Sequence, residues 1–299
     1  MAIAVGSARA GRLRAWLLAA RVPTLSAAVV PVLAGTAAAV ADGRFRLLPF
    51  VASLAAAVLI QVGTNFANDY FDVHKGADTS ERLGPVRVTQ SGLLSPEAVR
   101  NAIILTFSLA VLIGLYLVAV GGWPIFVIGL LSIAAGVLYT GGPWPLGYHG
   151  LGDLFVFVFF GVIALTGTYY LHTGTVTLAA LGSSIPVGCL VTAILVVNNL
   201  RDINTDRAAG KRTLAVRIGA RATRLQYLLL LAVAYLTPLA RWLLGSSLWA
   251  FLPWLTLPLA VVLARRMLTT EGRALNPVLK DTARLHLLYG TLFAASLLG

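Results

Sequence analysis

Apolar runs separated by short polar connections make up nearly the whole of this chain. Stretches almost free of charge occupy 16–40, 47–67, 98–120, 122–139, 152–171, 178–199, 224–243, 248–265 and 281–298. Each is near the roughly 20 residues a helix needs to cross a hydrocarbon layer. No water satisfies the backbone inside that layer, so a chain that crosses it repeatedly does so as helices. The pattern predicts an all-α, multi-pass bundle of nine helices, one domain over 1–299. The third and fourth runs are parted only by Gly121-Gly122, yet together they are too long for one crossing. The first run, with basic residues before it and Ala39-Val40-Ala41 at its end, imitates a secretory signal. It is longer than a signal core and is expected to remain as the first helix.

Composition agrees with the pattern. Of 299 residues 58% are hydrophobic and 11% charged, against about 25% charged in a soluble domain. The one cysteine, Cys189, sits inside an apolar run, which excludes a disulfide framework and a cysteine-built metal site. A net charge of +12 would suggest nucleic acid in a soluble protein; here the placement of the charges argues for topology instead. With the N-terminus in the cytoplasm, twenty of the 23 Lys and Arg fall in inner connections, and Arg44, Arg46 and Arg241 lie outside. That is the positive-inside distribution. The expectation is a protein of the cell membrane, embedded in the lipid bilayer, with a cytoplasmic N-terminus and no nucleic-acid partner. The oligomeric state stays open.

The acidic residues are less evenly spread. With this orientation Asp42 is the one acid outside. On the inner side, Asn65, Asn68, Asp69 and Asp72 close the second run and lead to Lys75, Gly76 and Asp78; Asn198, Asn199, Arg201 and Asp202 close the sixth and lead to Asp206, Gly210, Lys211 and Thr213. Four spans separate the two clusters, so both helix ends point the same way, as in a parallel internal repeat. Carboxylates at a membrane helix end are retained for a task. Residues four apart share a helix face, which aligns Asn65 with Asp69, Asn68 with Asp72, and Asn198 with Asp202 and Asp206. A single Asn-Asp pair at a helix end is ordinarily a cap or turn; two acid-rich ends at equivalent places point to one shared cavity.

Such a cavity needs cations, because two unit charges 4 Å apart repel by about 4 kcal/mol at an effective dielectric near 20. Mg²⁺ suits it: a hard cation that takes a few carboxylates and bridges them to substrate phosphates. Asn68, Asp69, Asp72, Asp202 and Asp206 are the candidate metal ligands, with Asn65 beside them, and Lys75, Arg201, Arg207, Lys211 and Arg212 are placed to grip phosphate oxygens. His74, His149, His172 and His286 are scattered without ligand spacing.

Asn68-Asp69-x-x-Asp72 and Asp202-x-x-x-Asp206-x-x-x-Gly210-Lys211-x-Thr213 resemble the two aspartate-rich motifs of the UbiA superfamily of intramembrane aromatic prenyltransferases. The resemblance extends over nearly the whole chain. It implies nine transmembrane helices around a central cavity opening near the cytoplasmic face, and Mg²⁺-dependent transfer of a polyprenyl chain from its diphosphate to an aromatic acceptor. Arg21-x-Pro23-Thr24, Arg82, Arg87, Gln90, Tyr139-Thr140, the Pro145 to Asp153 segment and Leu275-Asn-Pro-Val278 look like the menaquinone branch, whose acceptor is 1,4-dihydroxy-2-naphthoate. Gly76 stands at the superfamily's fourth acid position, with Asp78 two later, a spacing that suits this branch.

On this reading Arg82 or Arg87 binds the acceptor carboxylate and Asp78 or Asp153 helps deprotonate a ring hydroxyl. Phe66, Tyr70, Tyr139 and Trp144 are candidates to shelter an allylic cation. The alternatives are another aromatic acceptor, such as 4-hydroxybenzoate or homogentisate, and a cation transporter. A transporter would carry acids near the midplane and on both sides of it.

Overall fold

The computed structural model describes residues 2–74 and 83–299, with side chains from Gly11 onward. Three candidate site residues, Lys75, Asp78 and Arg82, lie outside the described residues. The described chain is helical: α1 (Ala2–Ala20), α2 (Ser26–Ala41), α3 (Leu47–His74), α4 (Pro96–Gly121), α5 (Trp123–Leu138), α6 (Gly152–Val156), α7 (Ala164–Thr173), α8 (Leu178–Arg201), α9 (Ile203–Ala208), α10 (Leu214–Leu243), α11 (Leu257–Thr269) and α12 (Leu275–Ser296). Among the described residues, seven helical segments are long and apolar enough to cross a membrane: Gly11–Ala41, Leu47–His74, Pro96–Gly121, Gly152–Thr173, Leu178–Arg201, Leu214–Leu243 and Leu248–Thr269. At 16 residues α5 falls short of that length, and α12 carries Lys280, Asp281 and Arg284.

Three of the apolar runs are not single α-helices. The run 16–40 breaks at Arg21, whose backbone is left-handed (φ 50, ψ 56), and passes through a 3₁₀ turn, Val22–Leu25, before α2. Pro23 has no N–H for a continuous ladder. The backbone N–H and the hydroxyl of Thr24 both bond the Arg21 carbonyl, at 2.8 and 2.9 Å, which fixes the corner. Between α6 and α7 the chain widens into a π-helix, Phe157–Ile163. There Gly161 lies so close to α8 that an added Cβ would stand 2.4 Å from the Gly188 Cα. The run 248–265 opens with a 3₁₀ stretch, Leu248–Thr256, containing Pro253, and continues into α11.

The main core gathers around α8, of which 78% of the most apolar window is buried, against 28% for α3 and 17% for α4. Val187, Leu190, Ala193 and Val197 of α8 meet Val30 and Ala34 of α2, Tyr227 of α10, Leu263 of α11, and Tyr289 and Phe293 of α12. Lipid adds no hydrophobic drive between helices, so close approach at small residues carries the packing; a Cβ on Gly290 would come within 2.2 Å of Val30. The other half, α3 to α5, leaves Ile104, Leu112, Leu115, Trp123 and Leu130 exposed, as a lipid-facing surface does. A small cluster of Ala15, Ala19, Phe66, Val88, Leu94 and Val99 seats the connection 83–95 on α1, α3 and α4. Ser95 then caps α4, accepting from Ala98 N–H at 3.2 Å. That seating aims Arg87 at the end of α3.

Candidate active site

One face of α3 carries Gln61, Asn65, Asn68 and Asp72, spaced by four, three and four, and all four line a cavity of about 870 Å³. The end of α8 reaches the same cavity with Asn198, Asn199 and Asp202, followed by Thr205, Asp206 and Lys211. Polar groups crowd this end. The remainder is walled by apolar side chains, including Ile60, Val118, Ile128, Phe159 and Phe160.

Asp72 is the hub. Its Oδ2 accepts from Arg87 Nη2 at 2.6 Å, and its Oδ1 accepts from the Tyr148 hydroxyl at 2.6 Å and from Lys211 Nζ at 3.3 Å. Lys211 also stands 4.6 Å over the Tyr148 ring. Asn68 Oδ1 accepts from the Thr140 hydroxyl at 2.9 Å. Asp69 uses both oxygens on backbone: Oδ2 accepts from Val88 N–H at 3.2 Å and Oδ1 from Thr89 N–H at 3.0 Å. Asp69 therefore holds the connection that presents Arg87.

At the α8 end the pairing is local. Arg201 donates through Nε to Asp202 Oδ1 (2.8 Å) and through Nη2 to Asp202 Oδ2 (2.5 Å) and Asn198 Oδ1 (2.8 Å). Its Nη1 donates to Asn276 Oδ1 at 2.9 Å, and Asn276 Nδ2 in turn donates to the Leu83 carbonyl at 2.9 Å. Asp206 has no side-chain hydrogen-bond partner among the described residues. Burial pushes its carboxyl up to about 7; Lys211 opposes this, while the neighbouring charges of Asp202 and Asp72 reinforce it.

Several candidates are held by other parts of the chain. Arg201 is engaged through all three nitrogens by Asp202, Asn198 and Asn276, which ties the α8 end together. Asn65 donates to the Ala20 carbonyl at 2.9 Å and to Thr24 Oγ1 at 3.2 Å, bracing the corner between α1 and α2. Arg87 is tied to Asp72. Arg212 is exposed and faces an outer cleft with Pro143, His149 and Arg217. Asp153 is buried against α10, accepting from Gln226 Nε2 at 3.0 Å, and does not line the cavity. Of the four aromatic candidates Tyr139 lines the cavity. Phe66 packs on Trp16, Tyr70 on Phe71 and His74, and Trp144 stacks on His149. The reading from sequence missed Tyr148 and Asn276, although both sit in segments it singled out, and the π-helix aromatics Phe159 and Phe160.

The donor set fits a hard divalent cation. Every side chain that can ligate here, Asn68, Asp72, Asp202 and Asp206 among them, offers oxygen. Among the described residues no three His, Cys, Asp or Glu stand close enough to hold an ion alone. An ion at this site must complete its shell from asparagines, water and a ligand's phosphates, which is the habit of Mg²⁺.

Comparison with known proteins decides the lineage: residues 28–288 match the UbiA prenyltransferase family. The chain belongs to that family. It is 40% identical over 291 residues to the 1,4-dihydroxy-2-naphthoate octaprenyltransferase of Escherichia coli, covering 94% of each chain. To the enzyme of the same name from Mycobacterium tuberculosis it is 40% identical over 283 residues, covering 94% of this chain and 96% of that one. Its fold matches a UbiA homolog from Archaeoglobus fulgidus bound to DMAPP and Mg²⁺, with a TM-score of 0.65 and 14% identity over 94% of this chain and 99% of that one. An apo UbiA homolog from Aeropyrum pernix gives a TM-score of 0.69 at 16% identity, covering 93% of this chain and 97% of the other. At these identities the solved structures speak to the fold alone.

Proposed function

We propose that this UbiA-family protein is a membrane prenyltransferase that moves a polyprenyl chain from its diphosphate to 1,4-dihydroxy-2-naphthoate with loss of CO₂, giving the hydroquinone form of demethylmenaquinone. The names of its relatives set the acceptor. The observation that carries the chemistry is the meeting of Asp72, Asp202, Asp206 and Lys211 at one end of a cavity whose other walls are apolar. A diphosphate with a long hydrocarbon tail has that same division.

Bound Mg²⁺ neutralises the diphosphate and makes it a better leaving group. The protein's residues do the rest. Asn68, Asp72, Asp202 and Asp206 present oxygens toward the metal side. Lys211, held by Asp72 and the Tyr148 ring, meets charge that grows on the departing oxygens. Asp69 and Arg87 fix the connection over the site, and Arg201 fixes the α8 end. Tyr139, Phe159 and Phe160 exclude water from the allylic carbon and offer ring faces to its cationic character. The bond from that carbon to the diphosphate oxygen breaks as the ring carbon that bears the carboxylate bonds to it. The carboxylate then leaves as CO₂ and returns its bonding electrons to the ring. Asp78 and Arg82 remain candidates for the acceptor's hydroxyl and carboxylate.

The same reading takes all nine apolar runs as crossings of the cell membrane, with the N-terminus and the mouth of the cavity on the cytoplasmic side. Membranes containing the protein, supplied with Mg²⁺, a long-chain prenyl diphosphate and 1,4-dihydroxy-2-naphthoate, should yield the prenylated hydroquinone, read as demethylmenaquinone after oxidation by air. EDTA should abolish the product, and 4-hydroxybenzoate should not replace the naphthoate. A prenylated benzoate with no naphthoquinone would overturn the acceptor.

A further inference from the structure

The apolar part of the cavity contains a polar feature that the diphosphate chemistry leaves unused. Gln61 lines the cavity on α3, eleven residues before Asp72 and so about 16 Å from it along the helix. The residue is 7% exposed, and its Oε1 is buried with no hydrogen-bond partner among the described residues. The orientation of this amide follows from its neighbours. The Thr24 hydroxyl donates to the Arg21 carbonyl at 2.9 Å, so its proton is committed. Toward α3 Thr24 Oγ1 can only accept, and it does so from Asn65 Nδ2 at 3.2 Å and Gln61 Nε2 at 3.4 Å. Gln61 must therefore turn its nitrogen to Thr24, which leaves its oxygen as an acceptor without a donor. Thr64, one turn nearer the metal end, also lines the cavity, and its Oγ1 is likewise buried without a partner.

A buried oxygen with no donor is destabilising, and a prenyl chain has no donor to offer. A ring hydroxyl has. Residues three apart on a helix are about 5–6 Å apart at Cβ, comparable to the span across one ring between two para oxygens. We propose that Gln61, oriented by Thr24, accepts a hydroxyl of the dihydroxy-aromatic acceptor, with Thr64 beside it for the second, so that this pair selects the hydroxylation pattern of the substrate. The proposal rests on the prenyltransferase reading above. It makes Gln61 a specificity-determining residue that touches the acceptor and leaves the diphosphate alone.

Steady-state kinetics in membranes test it, with Gln61→Met and Thr64→Val as near-isosteric variants that remove the acceptor atom or hydroxyl. KM does not depend on how much variant protein folds. Gln61→Met should raise KM for 1,4-dihydroxy-2-naphthoate about 10- to 100-fold, the scale set by loss of a buried hydrogen bond, and leave KM for the prenyl diphosphate within about twofold. The two mono-hydroxy-2-naphthoates then serve as competitive inhibitors. The one lacking the hydroxyl read by Gln61 should inhibit wild type and Gln61→Met equally, and the other should lose potency in the variant. Thr24→Ser, which keeps the pinning hydroxyl, should behave as wild type. Equal losses for both inhibitors, or a matching rise in KM for the prenyl diphosphate, would overturn the proposal. A wild-type protein without turnover of the naphthoate would overturn the prenyltransferase reading and the proposal with it; turnover unaffected by Gln61→Met overturns the proposal alone.

Discussion

The two acidic helix ends match in sequence and differ in wiring. At the end of α3 every carboxylate is bonded to a distant segment: Asp69 to Val88 and Thr89, Asp72 to Arg87, Tyr148 and Lys211. At the end of α8 Asp202 is clasped by its own neighbour Arg201, and the Asp206 carboxylate has no hydrogen-bond partner among the described residues. The α3 end ties four parts of the chain together, whereas the α8 end keeps an oxygen donor in reserve. The two ends differ in how many of their carboxylate oxygens the fold itself already uses. Carboxylates that satisfy the same motif therefore deserve different expectations when they are mutated.

The largest effect should come from Asp72→Ala. It removes the carboxylate that Arg87, 7% exposed at its side chain, pairs with, and releases Lys211 and Tyr148 from that carboxylate. Breaking a buried pair by removing one partner costs about 3–5 kcal/mol. We expect prenyl transfer to fall by about 10²–10³-fold, and the melting temperature in detergent to fall with it. Asp206→Asn sharpens the contrast. It should cost a comparable factor in transfer, yet leave the melting temperature of the metal-free protein unchanged or higher, because the charge it removes is one that burial disfavours. An Asp206→Asn variant that melts like Asp72→Ala would break the comparison.

The same contrast has a pH signature. The folded Asp206 carboxyl titrates at about 7, above its ordinary value of 3.8. Its neutral form is favoured by the fold. The associated stability is whole below the ordinary value and is lost as pH rises toward 7. Metal-free protein should melt at progressively lower temperature between about pH 4 and pH 7, and Asp206→Asn should flatten that slope. Cation binding needs the ionised form, so Mg²⁺-dependent binding of the diphosphate should strengthen as pH passes upward through about 7.

Smaller effects come next. Tyr148→Phe removes one hydrogen bond to a charged group, a contribution of about 1.5–3 kcal/mol; activity should fall roughly tenfold with a modest loss of melting temperature. Arg212→Ala lies on the outer cleft and should change activity by less than about twofold, as exposed substitutions away from a site do.

How much of this was legible in the sequence follows from the range of each interaction. Helical order, the two acid-rich ends and their shared face depend on spacings of three and four, which any reader of the chain can count. Asp72 meets Arg87 across 15 residues, Tyr148 across 76 and Lys211 across 139, and no local spacing announces such partners. Two candidates have close protein partners that their positions in the sequence do not announce. Arg201 looked like a phosphate ligand because cations beside acids suggest one, yet a guanidinium next to Asp202 with Asn198 three residues back satisfies itself. Asp153 looked like a base because acids are rare in apolar runs, yet it is buried against Gln226 of a distant helix. The helix breaks at Arg21 and at the π-helix were equally hidden, since apolar pattern reports burial in lipid and says little about backbone hydrogen bonding.

The most direct test is calorimetric titration of the detergent-solubilised protein with a non-reactive prenyl diphosphate analogue at pH 8, with Mg²⁺ or with EDTA, for wild type and Asp206→Asn. Wild type should bind tightly and only with Mg²⁺, and Asp206→Asn should bind at least tenfold more weakly with the fold intact by thermal melting. Equal Mg²⁺-dependent affinity in the two proteins would contradict the assignment of the α8 end as the side that receives the metal and the diphosphate.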